Sequence, residues 1–212
     1  MEFFCVSLPK NPSISIKVIP GHFSTSNAHS NHYLDVGGLK SNALIARDVA
    51  RELAIPYLTS TLVDTILCME KTEVIGAYLA EELLQRGTSV MNADEDIYVV
   101  SPMTNINGNL IFQGSMIDCI SNRNILLLVT TVSSGRTVDV ALECIEYYGG
   151  ILAGISALYL ASPQKLGREI NALFTYEDIP GYKLFKPIKC CELCQAGQKL
   201  DAVVTSEGYT KI

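Results

Sequence analysis

The residues best suited to do chemistry lie between Asn124 and Thr137. Ile125 to Val129 are five consecutive apolar residues, a strand of buried character, and they lead through Thr130, Thr131 and Val132 into Ser133, Ser134, Gly135, Arg136 and Thr137. That last group opens a helix. Backbone N–H groups at a helix N-terminus, surrounded by three hydroxyls, form a cradle for a phosphate. Gly135 lets a ligand approach the backbone closely, and Arg136 adds positive charge. The same residues also read as a plain strand-to-helix turn capped by Ser and Thr.

Two other groups carry possible chemistry. The three histidines, His22, His29 and His32, fall in a polar stretch between Ile19 and Leu39. Their spacing matches no zinc pattern, and a polar surface loop is the simpler reading. Of the seven cysteines, Cys190, Cys191 and Cys194 cluster near the C-terminus. The pair Cys191 and Cys194 supplies two metal ligands where a closed structural zinc site needs four. Cys190 or a second chain could add another, and reduced thiols with no metal are the alternative. A redox motif of the thioredoxin kind would need a strand immediately before it, which the sequence lacks.

The elements that must position these groups follow from hydrophobic period. Ile14, Ile16 and Val18 alternate with polar residues as in a half-buried strand. The polar stretch after Ile19 reads as a loop or hairpin. Ser41 is placed to cap a helix running to about Leu53, with Ile45, Val49 and Leu53 on one face and Pro56 beyond its end. Leu62 to Cys68 has the length of a buried strand, and Ile75, Leu79 and Leu83 mark a helix that Gly87 would cap. Ile97–Val100 is a further strand, and Ser101–Gly114, rich in Asn and Gly, is a mobile or hairpin loop. After the Ile125–Val129 strand, a helix buries Val138, Leu142 and Ile145 and closes at Gly149 and Gly150. Ile151–Leu160 returns as a strand. Strand and helix alternate as in a parallel sheet covered on both faces, so the fold class is α/β.

Composition limits the function classes. The chain has 212 residues, enough for one well-buried core, with 48% hydrophobic and 18% charged residues, which excludes disorder. Its formal net charge is −6 and no Lys/Arg cluster is present, so nucleic acid is not an expected partner. No apolar run reaches the roughly 18 residues of a membrane span, and Met1 to Lys10 lacks the regions of a secretory signal. An odd cysteine count with isolated thiols fits a reducing compartment, and a cytoplasmic location is expected.

The segment from Asn124 to Thr137 resembles the phosphoribosyl-diphosphate (PRPP) loop of the type I phosphoribosyltransferases, which runs from apolar residues through two acids to Thr-Thr-Gly-x-Thr. Matched on Gly135, Ser133, Ser134 and Thr137 take the positions that hold the 5′-phosphate, and the two acids fall on Val129 and Thr130. Gly21-His22-Phe23 through His29-Ser30-Asn31-His32-Tyr33 resembles the hood of orotate phosphoribosyltransferases, which implies a base pocket containing Phe23, His29 and Tyr33. Met69, Glu70, Lys71 and Thr72 sit where the family places its pyrophosphate loop, so that Lys71 and nearby N–H groups could meet an anion. Cys191 to Gly197 is similar to a Cys-x-x-Cys-x-x-Gly segment of some orotate phosphoribosyltransferases. The resemblance implies one domain over residues 1–212, with a core at about 41–170 and a hood or tail at 1–40 and about 175–212. It further implies a homodimer, PRPP or a nucleotide and a nitrogenous base as ligands, and Mg²⁺ as cofactor, with zinc at Cys191 and Cys194 a second metal possibility.

Family chemistry would ask for more than this sequence carries. Transfer passes through an oxocarbenium-like ribose while pyrophosphate leaves with growing negative charge, which Mg²⁺ and basic groups stabilise. The segment matching the family's catalytic loop, Ser101–Gln113, has no basic residue, and none occurs between Arg86 and Arg123. Two expectations therefore stand. One is a phosphoribosyltransferase of nucleotide metabolism that moves phosphoribosyl from PRPP to a base. The other is a non-catalytic binding or regulatory protein that keeps the fold. A working zinc or redox site at the cysteines is a third.

Overall fold

The computed structural model describes residues 2–25, 27–84, 91–92, 96–162, 169–205 and 208–212. The chain starts with strands β1 (Phe4–Leu8), β2 (Asn11–Ser24) and β3 (His29–Asp35), then helices α1 (Gly37–Ser41) and α2 (Ala43–Ala54). Strand and helix then alternate: β4 (Thr65–Cys68), α3 (Glu73–Leu84), β5 (Tyr98–Val100), the small hairpin β6 (Met103–Thr104) and β7 (Leu110–Ile111), β8 (Asn124–Val132), α4 (Arg136–Tyr147), β9 (Ile151–Leu160) and β10 (Asn171–Thr175). The tail adds β11 (Leu184–Phe185), α5 (Glu192–Gln195), β12 (Ala202–Thr205) and β13 (Gly208–Lys211).

The central sheet has five strands in the order β10-β9-β8-β4-β5, and every pairing in it is parallel. Its middle strand shows why β8 reads as an unbroken apolar run. Successive side chains of a strand point to opposite faces. Leu126 and Leu128 enter the core beneath α2 and α3, while Ile125, Leu127 and Val129 enter a second core beneath α4. Both faces are covered, so no position on the strand needs to be polar.

The helices bury the stripes expected of them. Ala46, Val49, Ala50, Leu53 and Ala54 face inward from α2, and Ile75, Gly76, Leu79, Ala80 and Leu83 from α3. Gly76 is a packing requirement, because a Cβ there would collide with Cys68 Sγ on β4. The cap of α2 differs from expectation. Ser41 ends α1, donating its hydroxyl to the Gly37 carbonyl, and Asn42 caps α2 by accepting from the Leu44 and Ile45 N–H groups. Gly87 lies outside the described residues. In α4 the inward residues are Val138, Ala141, Cys144 and Ile145, with Leu142 packed at the margin.

The two ends of the chain build a second sheet, in the order β11-β3-β2-β12-β13 with β1 also on β2. The polar stretch that holds the histidines is thus a β2–β3 hairpin, bulged between Pro20 and Phe23. The Asn- and Gly-rich segment is likewise a hairpin, in which Asn105 Oδ1 accepts from the Asn107 and Asn109 N–H groups. No helix among the described residues is long and apolar enough to cross a membrane.

Candidate functional site

The β8–α4 junction lies at the carboxyl end of the parallel sheet, where ligands of open α/β sheets bind. Ser133, Ser134 and Gly135 make the turn, and α4 starts at Arg136. Gly135 has φ +83°, a left-handed conformation that side-chain-bearing residues adopt at a cost. The turn is held by its surroundings: Ser162 Oγ donates to the Ser133 carbonyl at 3.3 Å, and Lys186 Nζ donates to the Ser134 carbonyl at 3.3 Å. The first N–H groups of α4 open here with the positive end of the helix dipole.

A cavity of about 600 Å³ joins this turn to the terminal sheet, a size suited to a small-molecule ligand. Ser133, Thr137, Thr130 and Thr131 line its floor, and Tyr33, His32, Tyr159 and Tyr182 line its aromatic side. A smaller cleft of about 310 Å³ adjoins the turn between Ser134, Arg136, Thr137, Thr25, Asn27 and Met69. A third, of about 620 Å³, runs past Arg136 to Lys186 and Lys189, with Asp139 as its acid.

The β4–α3 turn forms the cavity's charged edge. Glu70 and Lys71 are consecutive non-glycine residues with φ +55° and +64°. Each such residue costs on the order of 1–3 kcal/mol, and strain of this kind clusters at ligand sites. Thr72 anchors the turn, its hydroxyl donating to the Met69 carbonyl at 2.9 Å. The geometry carries the Glu70 carboxylate onto the Thr130 N–H, 3.1 Å from Oε2. Lys40, at the end of α1, donates its ammonium to the Glu70 carbonyl at 2.8 Å and to Thr130 Oγ1 at 3.4 Å.

The residues singled out from sequence divide accordingly. Ser133, Ser134, Gly135, Arg136, Thr137 and Thr130 are together, and Glu70 and Met69 reach them. Val129 does not: it is wholly buried in the core beneath α4. Adjacent strand residues face opposite ways, so only Thr130 of that pair can meet the cavity. Tyr33 lines the cavity, but Phe23 is wholly buried, packed against Tyr33 and Tyr209 at ring-centroid distances of 5.8 and 6.3 Å. His29 turns away from the cavity. His32 lines the cavity instead, half-buried and stacked on Tyr182 with Nδ1 2.8 Å from Asn31 Oδ1. Burial holds the His32 pKa below its usual 6.5 and pushes the Tyr182 phenol up to about 12, so both rings stay neutral near pH 7. Lys40 and Lys186 escaped the sequence reading because their link to the turn is made only by folding.

The opposite edge of the β2–β3 hairpin carries a His/Cys cluster that could bind a metal. His22, His29, Cys191 and Cys194 bring one ligand atom each to within 4.8 Å of one another. His22 Nε2 lies 3.1 Å from His29 Nδ1, 3.4 Å from Cys191 Sγ and 3.6 Å from Cys194 Sγ, and the last sulfur is 3.3 Å from His29 Nδ1. The histidines are therefore not a polar surface loop. Cys190 is exposed and stands outside the cluster. Burial, then the neighbouring His22, keeps the His29 pKa low, while burial and Cys191 raise the Cys194 thiol.

No family model and no curated protein matches this sequence. Solved structures do. UMP synthase of Leishmania donovani aligns with 90% of this chain at 19% identity and a TM-score of 0.56, although the chain spans only 37% of that protein. Orotate phosphoribosyltransferase of Mycobacterium tuberculosis H37Rv aligns with 77% of this chain and 91% of its own length, at 12% identity and a TM-score of 0.53. Adenine phosphoribosyltransferase of Leishmania tarentolae covers 70% of this chain and 79% of itself, at 13% identity and a TM-score of 0.51. At such identities the agreement is one of backbone architecture, and by that measure the chain has the fold of the type I phosphoribosyltransferases.

Proposed function

We propose that the chain is a single phosphoribosyltransferase-like domain that binds the 5′-phosphate of a phosphoribosyl group at Ser133–Thr137. In this reading it moves phosphoribosyl from PRPP to a nitrogenous base, as a cytoplasmic homodimer of nucleotide metabolism. The observation that carries it is the roughly 600 Å³ cavity that joins a hydroxyl-lined helix N-terminus to an aromatic wall. The turn suits a phosphate dianion, and Tyr33, His32 and Tyr182 suit the flat face of a base.

The chain's own residues would divide the work by charge. N–H groups of the turn and Arg136 hold the phosphate. Glu70 supplies a carboxylate beside Thr130, where Val129 and Thr130 themselves offer none, and can meet a ribose hydroxyl. Lys40, Lys186 and Lys189 bring positive charge from outside the Ser101–Gln113 segment, which has none. Mg²⁺, bound with the pyrophosphate of PRPP, would neutralise the leaving group. Asp35 and Glu70, both lining the cavity, are the carboxylates available to it.

A second reading, a binding or regulatory protein without turnover, is favoured by the base-free β6–β7 hairpin and the buried Val129. One experiment separates the two. The purified chain is incubated with PRPP, Mg²⁺ and a mixture of orotate, uracil and purine bases, and new nucleotides and pyrophosphate are measured. A base-dependent nucleotide released with equimolar pyrophosphate is the expected result and names the base. PRPP binding by calorimetry without any product would establish the binder, and absence of PRPP binding by the folded protein would overturn both.

A further inference from the structure

We infer that His22, His29, Cys191 and Cys194 form a closed zinc site that clamps the C-terminal tail to the β2–β3 hairpin. The inference does not depend on phosphoribosyl binding, since the four ligands lie outside the cavity lining.

Zinc bound tetrahedrally, with Zn–N near 2.05 Å and Zn–S near 2.3 Å, sets its ligand atoms about 3.3 Å apart for two nitrogens and about 3.6 Å for nitrogen and sulfur. The corresponding separations here are 3.1 Å between nitrogens and 3.3, 3.4 and 3.6 Å between nitrogen and sulfur. Four of the six edges of a zinc-sized tetrahedron are thus present, and all four donor atoms lie within 4.8 Å of one another. Two imidazoles with two thiolates select zinc over hard cations such as Mg²⁺ or Ca²⁺.

Hydrogen bonding points the same way. His22 Nδ1 lies 3.0 Å from the Gln198 carbonyl oxygen, which can only accept, so Nδ1 carries the proton. The bond leaves Nε2 as the ligand nitrogen of His22, and three other ligand atoms converge on it. A hydrogen-bond donor can satisfy its lone pair only once, whereas a cation at the centre satisfies all four groups. The carbonyl is the outer partner that orients metal-bound histidines elsewhere. Charge also balances. Zinc displaces the two thiol protons to solvent, and Zn²⁺ with two thiolates and two neutral imidazoles is uncharged overall, as suits a site in which His22 and Cys191 have no exposed surface.

The clamp joins the β2–β3 hairpin to the C-terminal tail. His22 and His29 sit on the hairpin, while Cys191 caps the short α5 and Cys194 lies within it. Beyond them Asp201 accepts from the His22 N–H at 2.7 Å, and β12 pairs in parallel with the end of β2. The same tail then supplies Val204, Thr205 and Gly208 to the cavity wall, with Gly208 beside Tyr33. The zinc therefore braces one side of the cavity without touching its contents.

The test uses the full chain purified without a metal-affinity tag or chelator, with bound zinc measured by plasma mass spectrometry. One zinc per chain is expected. Cys191→Ser and Cys194→Ser should each lower zinc affinity by at least about 100-fold, more than an outer-partner change costs, while Cys190→Ser keeps the metal. Cobalt titrated into metal-stripped wild-type protein gives a readout that needs no variant to fold. The intense visible absorption of a tetrahedral thiolate–imidazole site is expected. No zinc on purification and only weak octahedral cobalt absorption would overturn the site, as would full zinc retention in the Cys191→Ser/Cys194→Ser double variant.

Discussion

The Ser133–Thr137 turn and the His/Cys cluster are built in opposite ways. The turn takes its hydroxyls and N–H groups from one contiguous stretch, Ser133 to Thr137, and its shape from a strand and a helix that those residues join. The cluster takes two ligands from the first thirty residues and two from the last twenty-five or so, with the whole central sheet between them. Contiguity makes the turn readable but incomplete. Its carboxylate arrives from Glu70 and its nearby ammonium groups from Lys40 and Lys186. The cluster is the reverse: its Cys191–Cys194 half shows in the spacing, its histidines do not, and folding brings four candidate ligand groups and an outer carbonyl together.

The sharpest break of this comparison is at Gly135. Gly135→Val forces a β-branched residue into φ +83° and fills the backbone side of the turn, so PRPP affinity should fall by about 10²–10³-fold while circular dichroism stays native. Unchanged calorimetric affinity would mean the contiguous turn is not the site. Stripping zinc probes the other member of the pair. The melting temperature should drop on the order of 10 °C, equivalent to a loss of a few kcal/mol in a chain of this size. An unaltered melt would reduce the cluster to a bystander.

Smaller effects test how far the turn depends on distant residues. Glu70→Gln keeps the shape but removes the charge beside Thr130, and Mg²⁺-dependent PRPP affinity should fall about tenfold, the scale of one charge-assisted hydrogen bond. Should affinity hold, Thr130 needs no borrowed carboxylate. The slightest expected effect concerns pH. Burial depresses the His32 pKa below 6.5, so the unfolded chain binds more protons there and stability falls as pH drops below 6.5. His32→Gln should flatten the slope of melting temperature between pH 7 and pH 5.5, and an identical slope would assign it to other groups.

Much of the fold was legible because its signals are local. The β8 run, the stripes on α2 and α3, and the bounds of β9 all follow from period and length. The misplaced cap is instructive: Ser41 and Asn42 are both good caps, and only the break between α1 and α2 decides between them. The site was half legible. The family resemblance puts an acidic position at Val129, yet the two-residue period of its strand turns it into the core while Thr130 faces the cavity. The resemblance implies His29 at the base, but it stands in the His/Cys cluster, beside a partner 165 positions along the chain. Pairings at that range leave no trace in spacing.

The parallel pairing of β12 with β2 has a consequence for how the molecule is made. His22 and Asp201 stand 179 positions apart. At a synthesis rate of about 5–20 residues per second, the end of β2 waits roughly 10–40 s on the ribosome before its partner strand exists. Throughout that interval an apolar strand end carrying Phe23 has an open edge, the kind that pairs with the wrong neighbour. Nascent chains interrupted before residue 202 should therefore be the ones that aggregate, with β12 acting as a seal on the open edge of β2.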